Sequence, residues 1–127
     1  MWDRSDKQPR VLLVEDAPFL RYAFARLLRL HGFEVREATD GREALDCLAD
    51  FRAQLVLTDL MMPVMDGVEL IRQLHANPST ADIPVVAITA DASEQTERQA
   101  RDAGAIDFIT KPIDLPALLA RLRAIPV

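Results

Sequence analysis

The chain has little of several things that would point elsewhere. In 127 residues it carries one cysteine, one tryptophan, one tyrosine and four glycines. Cys47 has no partner for an internal disulfide, so this is no disulfide-stapled scaffold, and a reducing cytoplasm suits it. No apolar run approaches the ~20 residues of a membrane-crossing helix. The opening MWDRSDKQPR is polar and lacks the apolar stretch of a signal peptide. Residues 1–9 read as a tail and 10–127 as one domain, with Trp2 a loosely held surface residue. Lys and Arg number 15 against 20 Asp and Glu, a net charge of −5, and form no basic stripe. Direct binding to nucleic acid is therefore not expected. Nor is a glycine-rich phosphate loop present: the first apolar run ends in Glu15-Asp16-Ala17-Pro18.

What is present is a soluble single-domain composition, half hydrophobic and 28% charged, in a chain long enough to bury about two-thirds of its unfolded surface. Three short runs are apolar throughout: Val11-Leu12-Leu13-Val14, Leu55-Val56-Leu57 and Val85-Val86-Ala87-Ile88. Such runs predict strands covered on both faces. Weaker strand signals lie at Phe33 to Glu37, alternating as an edge strand does, and at Ala105 to Ile109. Helical periodicity fills the gaps. Pro18 to Leu30 repeats Leu20, Ala23, Phe24, Leu27 and Leu30, predicted to face inward, and stops at His31-Gly32. Gly41 to Phe51 would turn in Ala44, Leu45 and Leu48. Val68 to Ala76 would turn in Leu70, Ile71 and Leu74, ending at Asn77-Pro78. Ser93 to Ala103 starts on acids, which suits a helix N-terminus. From Glu94 to Asp102 it has no large aliphatic or aromatic side chain. Leu115 to Ala124 sets Leu115, Leu118, Leu119, Leu122 and Ile125 on one face. This βαβαβαβαβα order predicts an α/β fold: one doubly wound domain, its parallel five-stranded sheet covered by helices on both faces.

In such a sheet the ligand site lies beyond the carboxyl ends of the strands. Those ends carry Glu15 and Asp16, then Ala38-Thr39-Asp40 as a turn, then Asp59, then Thr89, then Thr110 and Lys111. Three carboxylates brought together must be protonated, paired or bound to a cation. A few hard oxygen ligands favour Mg2+. Lys111 suits a phosphoryl oxygen, and Thr89 offers a hydroxyl. With no His, Cys or Ser at these ends, a carboxylate is left as the attacking group in any covalent step, and carboxylates do accept phosphoryl groups.

With these residues, the chain resembles the receiver domains of two-component response regulators, of the chemotaxis-regulator type, from about Arg10 to Ala124. The motifs are Glu15-Asp16, Asp59 in TDLMMPVMDG, Thr89 in AITA and Lys111-Pro112 in FITKP; Asp16, Asp59, Thr89 and Lys111 follow one another at 43, 30 and 22 residues. The resemblance implies a flavodoxin-like sheet of order 2-1-3-4-5. It implies Asp59 as phosphoacceptor, and Mg2+ held by Glu15, Asp16, Asp59 and the Met61 carbonyl. Lys111 would pair with the phosphoryl group, Thr89 would bond to it, Phe108 would be an aromatic switch residue and the Lys111-Pro112 bond would be cis. The donor would be a histidine kinase or histidine phosphotransfer protein. Phosphorylation would pull Thr89 inward, make room for Phe108 and remodel the face built from the fourth helix, fifth strand and fifth helix for a downstream protein target.

Rival readings are weaker. An aspartate-nucleophile phosphatase of the haloacid-dehalogenase type needs an acid two residues after the nucleophile, where Met61 stands. A receiver-like interaction module would not need the complete acid, Thr and Lys set. The remaining residues have plain roles. Asp66 is a turn residue beside Gly67, His31 and His75 are surface residues at helix ends, and Cys47 is a small filler. Pro63 and Gly67 shape the loop after Asp59, and the Met61 and Met62 side chains cover the site. Met61 and Asp91 would flank the path of attacking water, with Asp91 able to orient it. With no output segment after Val127 or before Arg10 in this sequence, the chain is read either as a stand-alone regulator that signals by binding a partner or as a receiver cut from a longer chain; the start at Met1 favours a stand-alone regulator or an N-terminal receiver.

Overall fold

The computed structural model describes residues 8–125; Trp2 and most of the tail lie outside them. Five strands and five helices alternate: β1 (Arg10–Val14), α1 (Pro18–Leu30), β2 (Glu34–Ala38), α2 (Gly41–Cys47), β3 (Leu55–Asp59), α3 (Gly67–Ala76), β4 (Val85–Thr89), α4 (Glu94–Ala103), β5 (Asp107–Thr110) and α5 (Leu115–Arg123). All pairings are parallel and the order is β2-β1-β3-β4-β5. The all-apolar runs became interior strands: β3 and β4 are buried at every residue, whereas edge strand β2 alternates.

The sheet divides the core in two. On one side Leu12, Val56, Ala87 and Phe108 pack with Leu70, Ile71 and Leu74 of α3 and with Ala100 and Ala103 of α4. On the other, Val11, Leu13, Leu57 and Ile88 pack with Phe24 and Leu28 of α1 and with Leu118 and Leu122 of α5. Local capping agrees with this layout. The Asp40, Asp66 and Ser93 side chains accept the N–H of Glu43, Glu69 and Thr96, satisfying donors that the helix itself leaves free. Gly104 closes α4 at φ 129°, a conformation that needs glycine.

Two expectations are corrected. The buried stripe of α1 is Phe24, Ala25 and Leu28. Of the set expected inward, Leu20, Leu27 and Leu30 are 37%, 40% and 68% exposed. Helix α1 is apolar on two faces, and periodicity alone cannot say which one meets the sheet. Helix α2 stops at Cys47, not Phe51. Beyond it the chain tightens into i→i+3 turns, Ala49 N–H to Asp46 and Asp50 N–H to Cys47, which deliver Phe51 into the core. No helix among the described residues is long and apolar enough to cross a membrane.

From β1 the chain first steps outward to β2, then returns to β3 on the other side. Strands β1 and β3 therefore flank the topological switch point, and the crevice beyond their carboxyl ends is where such a fold places its ligand.

Candidate functional site

Register does the first part of the positioning. Val14 lies opposite Thr58, so Glu15 and Asp59 leave adjacent strands side by side. Asp59 in turn lies opposite Ile88, and Thr89 opposite Thr110. Glu15, Asp16 and Asp59 each offer an oxygen, all within 4.8 Å of one another. Glu15 is 4% and Asp59 6% exposed. Carboxylates so buried need partners.

Lys111 supplies one. Its Nζ donates to Glu15 Oε1 at 2.9 Å and to Asp59 Oδ2 at 2.8 Å. Its backbone N–H bonds the Thr89 carbonyl at 2.8 Å, fixing the turn after β5, and the Lys111-Pro112 bond is cis. The other oxygens are held by backbone: Ala17 N–H meets Glu15 Oε2 at 3.1 Å and Met61 N–H meets Asp59 Oδ1 at 3.0 Å. Burial raises the Glu15 pKa above its ordinary 4.5, against the pull of the Lys111 and Ala17 hydrogen bonds. Burial also works against the Lys111 charge, but the bonds to Asp59 and Glu15 outweigh it and hold its pKa above 10.5. One ammonium faces three carboxylates, so the group retains negative charge. Its donors are all hard oxygen. The residues fit a divalent cation of the Mg2+ type.

The loop after β3 is shaped by close approach. Gly67 N–H bonds Leu60 O at 3.0 Å, and a Cβ on Gly67 would lie 2.2 Å from the Asp59 carbonyl oxygen. Only glycine lets α3 start this near the acid. Val64 sits at φ 69°, strained for a β-branched residue, and is 83% exposed. Met62 is half-buried against the core, and Met61 is 69% exposed and lines the mouth of the site with Asp16. A cleft lined by Asp16, Leu60, Met61, Pro63, Asp66 and Thr96 leads from the acids towards α4.

Thr89 is fully buried, and its Oγ1 accepts the Asp91 N–H at 3.1 Å. Asp91 is exposed and also tied to the start of α4. Its Oδ1 accepts the Ser93 N–H at 2.9 Å, and its Oδ2 accepts the Thr96 hydroxyl at 2.6 Å. A hydrogen-bonded path thus joins Thr89 to the first turn of α4. Phe108 is 8% exposed, in the cluster that holds Ala87, Ala100 and Ala103. Asp66 caps α3, the exposed His31 and His75 lie at helix ends, and Cys47 is half-buried. Every predicted strand-end residue thus reaches the same edge. Sequence reading missed Thr58, a fully buried hydroxyl donating to the Asp59 carbonyl at 2.8 Å. A hydroxyl between the apolar run Leu55-Val56-Leu57 and the acid was the available signal. It also missed Arg21 and Thr96, whose partners only the fold brings near.

Comparison with known proteins agrees with this geometry. Residues 11–123 match the model of the response regulator receiver domain. The response regulator MprA of Mycolicibacterium vanbaalenii is 42% identical over 116 residues, 91% of this chain and 49% of that protein. The DNA-binding dual master transcriptional regulator RpaA of a Synechocystis strain is 36% identical over 92% of this chain and 48% of its own. The chain therefore spans about half the length of these relatives. Among solved structures, Vibrio cholerae chemotaxis protein CheY4 superposes with a TM-score of 0.88 at 28% identity, covering 94% of this chain and 99% of that one. A receiver protein from Pseudomonas putida gives 0.85 at 30% identity, covering 91% and 96%. With the fold, the switch-point acids and these matches in agreement, the chain belongs to the response regulator receiver domains of two-component signal transduction, which are signalling phosphoacceptors rather than enzymes.

Proposed function

We propose that Asp59 is the phosphoacceptor of this receiver and that its phosphorylation resets the face formed by α4, β5 and α5. The observation that carries the reading is the Asp59 carboxylate itself, held at the switch point by the Met61 N–H on one oxygen and the Lys111 ammonium on the other. Family membership implies a histidine kinase as partner; a histidine phosphotransfer protein could serve as well. An Asp59 oxygen attacks the phosphorus of the donor's phosphohistidine, the P–N bond breaks, and the imidazole leaves with the electron pair. An acyl phosphate results. Lys111 remains beside the transferred oxygens and balances their charge, so the protein contributes aim and charge rather than new covalent chemistry. Glu15, Asp16, Asp59 and the Met61 carbonyl would hold Mg2+, which when bound neutralises phosphoryl charge.

A protein donor is supported by what borders the site. An apolar groove runs beside Lys111-Pro112, lined by Leu20, Ala23, Leu27, Ile113 and Leu115, and Phe19 on the same helix is 89% exposed. Contiguous exposed apolar surface is a mark of docking. The response is carried by Thr89. Drawing its hydroxyl towards the new phosphoryl group strains the bond from Asp91 N–H, and with it the start of α4, while Phe108 gains room. This shifts a two-state equilibrium rather than building a new fold.

Intact-protein mass after incubation with acetyl phosphate tests the reading. One phosphoryl group should appear in the wild type with Mg2+, be absent from Asp59→Asn, and be lost on treatment with hydroxylamine. Phosphorylation that persists in Asp59→Asn would name the wrong acceptor.

A further inference from the structure

Arg21, in the first half of α1, stands where the sequence offers no signal of function. Its guanidinium does two things at once. Nη1 donates to the backbone carbonyl of Glu15 at 3.0 Å, and Nε lies 3.4 Å from Glu37 Oε1 on β2. The other Glu37 oxygen lies 3.2 Å from Arg29 Nη1, and Arg29 Nη2 donates to the Val35 carbonyl at 2.8 Å. The two arginines are two helical turns apart, about 12 Å along the axis, and they bracket Glu37. A continuous path of contacts therefore runs from the β2 backbone through Arg29, Glu37 and Arg21 to the peptide of Glu15. The Arg21 side chain is only 18% exposed.

The peptide at the end of that path needs fixing. Strand β1 ends at Val14. The Glu15 N–H still finds the Ala38 carbonyl at 3.0 Å, but the Glu15 carbonyl has left the ladder and turns to α1. The tilt of this peptide decides where the Glu15 and Asp16 side chains emerge. A planar guanidinium can grip a carbonyl and a carboxylate together; a lysine ammonium at the same place cannot hold both in fixed geometry.

We propose that Arg21 is a positioning residue for the cation site: anchored by Glu37, it holds the Glu15 peptide and thereby aims Glu15 and Asp16 at the ion. The inference rests on the Mg2+ reading given above. Groups that orient metal ligands from behind typically matter 10- to 100-fold in affinity, and a turn that wavers would present its two acids less often as a pair.

The test is a titration with MgCl2 alone, followed by the amide resonances of Glu15, Asp16 and Asp59, with thermal melting measured in parallel. Arg21→Ala should raise the Mg2+ dissociation constant about tenfold. Arg21→Lys should recover only part of that, and Glu37→Gln should give a smaller rise. The control is Arg36→Ala, which breaks an ion pair to Asp50 and a stack on Phe51, also on β2. It should leave the Mg2+ constant unchanged even where it lowers the melting temperature as far. If Arg21→Ala does not fold, Arg21→Lys and Glu37→Gln carry the test. Mg2+ binding by the wild type with an unchanged constant in the Arg21 variants overturns the positioning role alone. A constant that follows melting temperature across all variants, Arg36→Ala included, also overturns it. Absence of saturable Mg2+ binding by the wild type overturns the metal reading itself, and this inference with it.

Discussion

Helices α3 and α4 are neighbours on the same face of the sheet and are equal in length at 10 residues. Each begins with a side-chain cap, Asp66 on the Glu69 N–H at 2.9 Å and Ser93 on the Thr96 N–H at 3.2 Å. Locally they are equivalent. What differs is the side-chain volume they bury. Helix α3 puts Leu70, Ile71 and Leu74 into the core at 1% exposure or less, whereas α4 puts in Ala100 and Ala103. A fully buried Leu or Ile is worth about 1.5–3 kcal/mol and a methyl group much less, so α3 is riveted and α4 is laid on. The first turn of α4 is tied instead by polar groups: Asp91, Ser93, Thr96 and, through the Asp91 N–H, Thr89. Elements held in this way open at lower free energy than the core. The pair teaches that two neighbouring helices with equivalent caps can be anchored very differently, one by buried leucines and the other by alanines and polar ties.

The largest expected effect breaks the fixed helix. Leu74→Ala should destabilise by about 3 kcal/mol, while Ala100→Gly in α4 should cost about 1 kcal/mol; urea unfolding of both variants checks the ratio. Equal values would mean that α4 is anchored as firmly as α3. Next comes the junction that sets α3 against the acid. Gly67→Ala puts a Cβ into the Asp59 carbonyl and Leu60 backbone, which cannot swing away. A loss of about 2–3 kcal/mol is expected, together with a displaced Asp59 amide resonance. A smaller effect of opposite sign should follow from Val64→Asn in the same loop. Asparagine tolerates the left-handed φ of 69°, so stability should rise by about 1 kcal/mol, read from the denaturation midpoint.

The smallest effect belongs to the polar tie of α4. The Thr96 hydroxyl bond, followed by the Ser93 N–H, lowers the Asp91 pKa from its ordinary 3.8. A depressed carboxyl contributes stability above the unfolded value, and that contribution disappears as pH falls through the folded one. The tie should therefore hold at neutral pH and release in acid below 3.8. The Ser93 amide resonance should titrate with that midpoint in the wild type and stay flat in Asp91→Asn, while the Leu70 and Leu74 amides of α3 show no such step. A Ser93 midpoint above 3.8 would mean that the tie does not favour the charged carboxylate.

Much of this was legible in the chain. Strand and helix order followed from local periodicity, and strand ends named Glu15, Asp16, Asp59, Thr89 and Lys111 because a parallel sheet gathers its carboxyl ends on one edge. The α4 weakness could be read directly from a run without one large apolar side chain. The α1 face could not. Phe24 was read correctly, but the same periodic set carried Leu20, Leu27 and Leu30, which are exposed, and left out Ala25 and Leu28, which are buried; only the sheet chooses which apolar residues it covers. The tie of Asp91 to Ser93 and Thr96 was missed for a related reason: its nearness to Thr89 in sequence drew attention to the site, while these partners lie in the turn that follows.

By itself, then, the sequence determined which elements form, their alternation and which chemical groups reach the sheet edge, since those depend on near neighbours and on the period of the backbone. Tertiary structure alone decided which groups touch. Lys111 reaches Glu15 across 96 positions and Asp59 across 52, and Arg21 grips the Glu15 carbonyl while braced on Glu37. Such contacts depend on strand order, register and the packed face of each helix. These are settled by burying the whole chain at once, which no local pattern encodes.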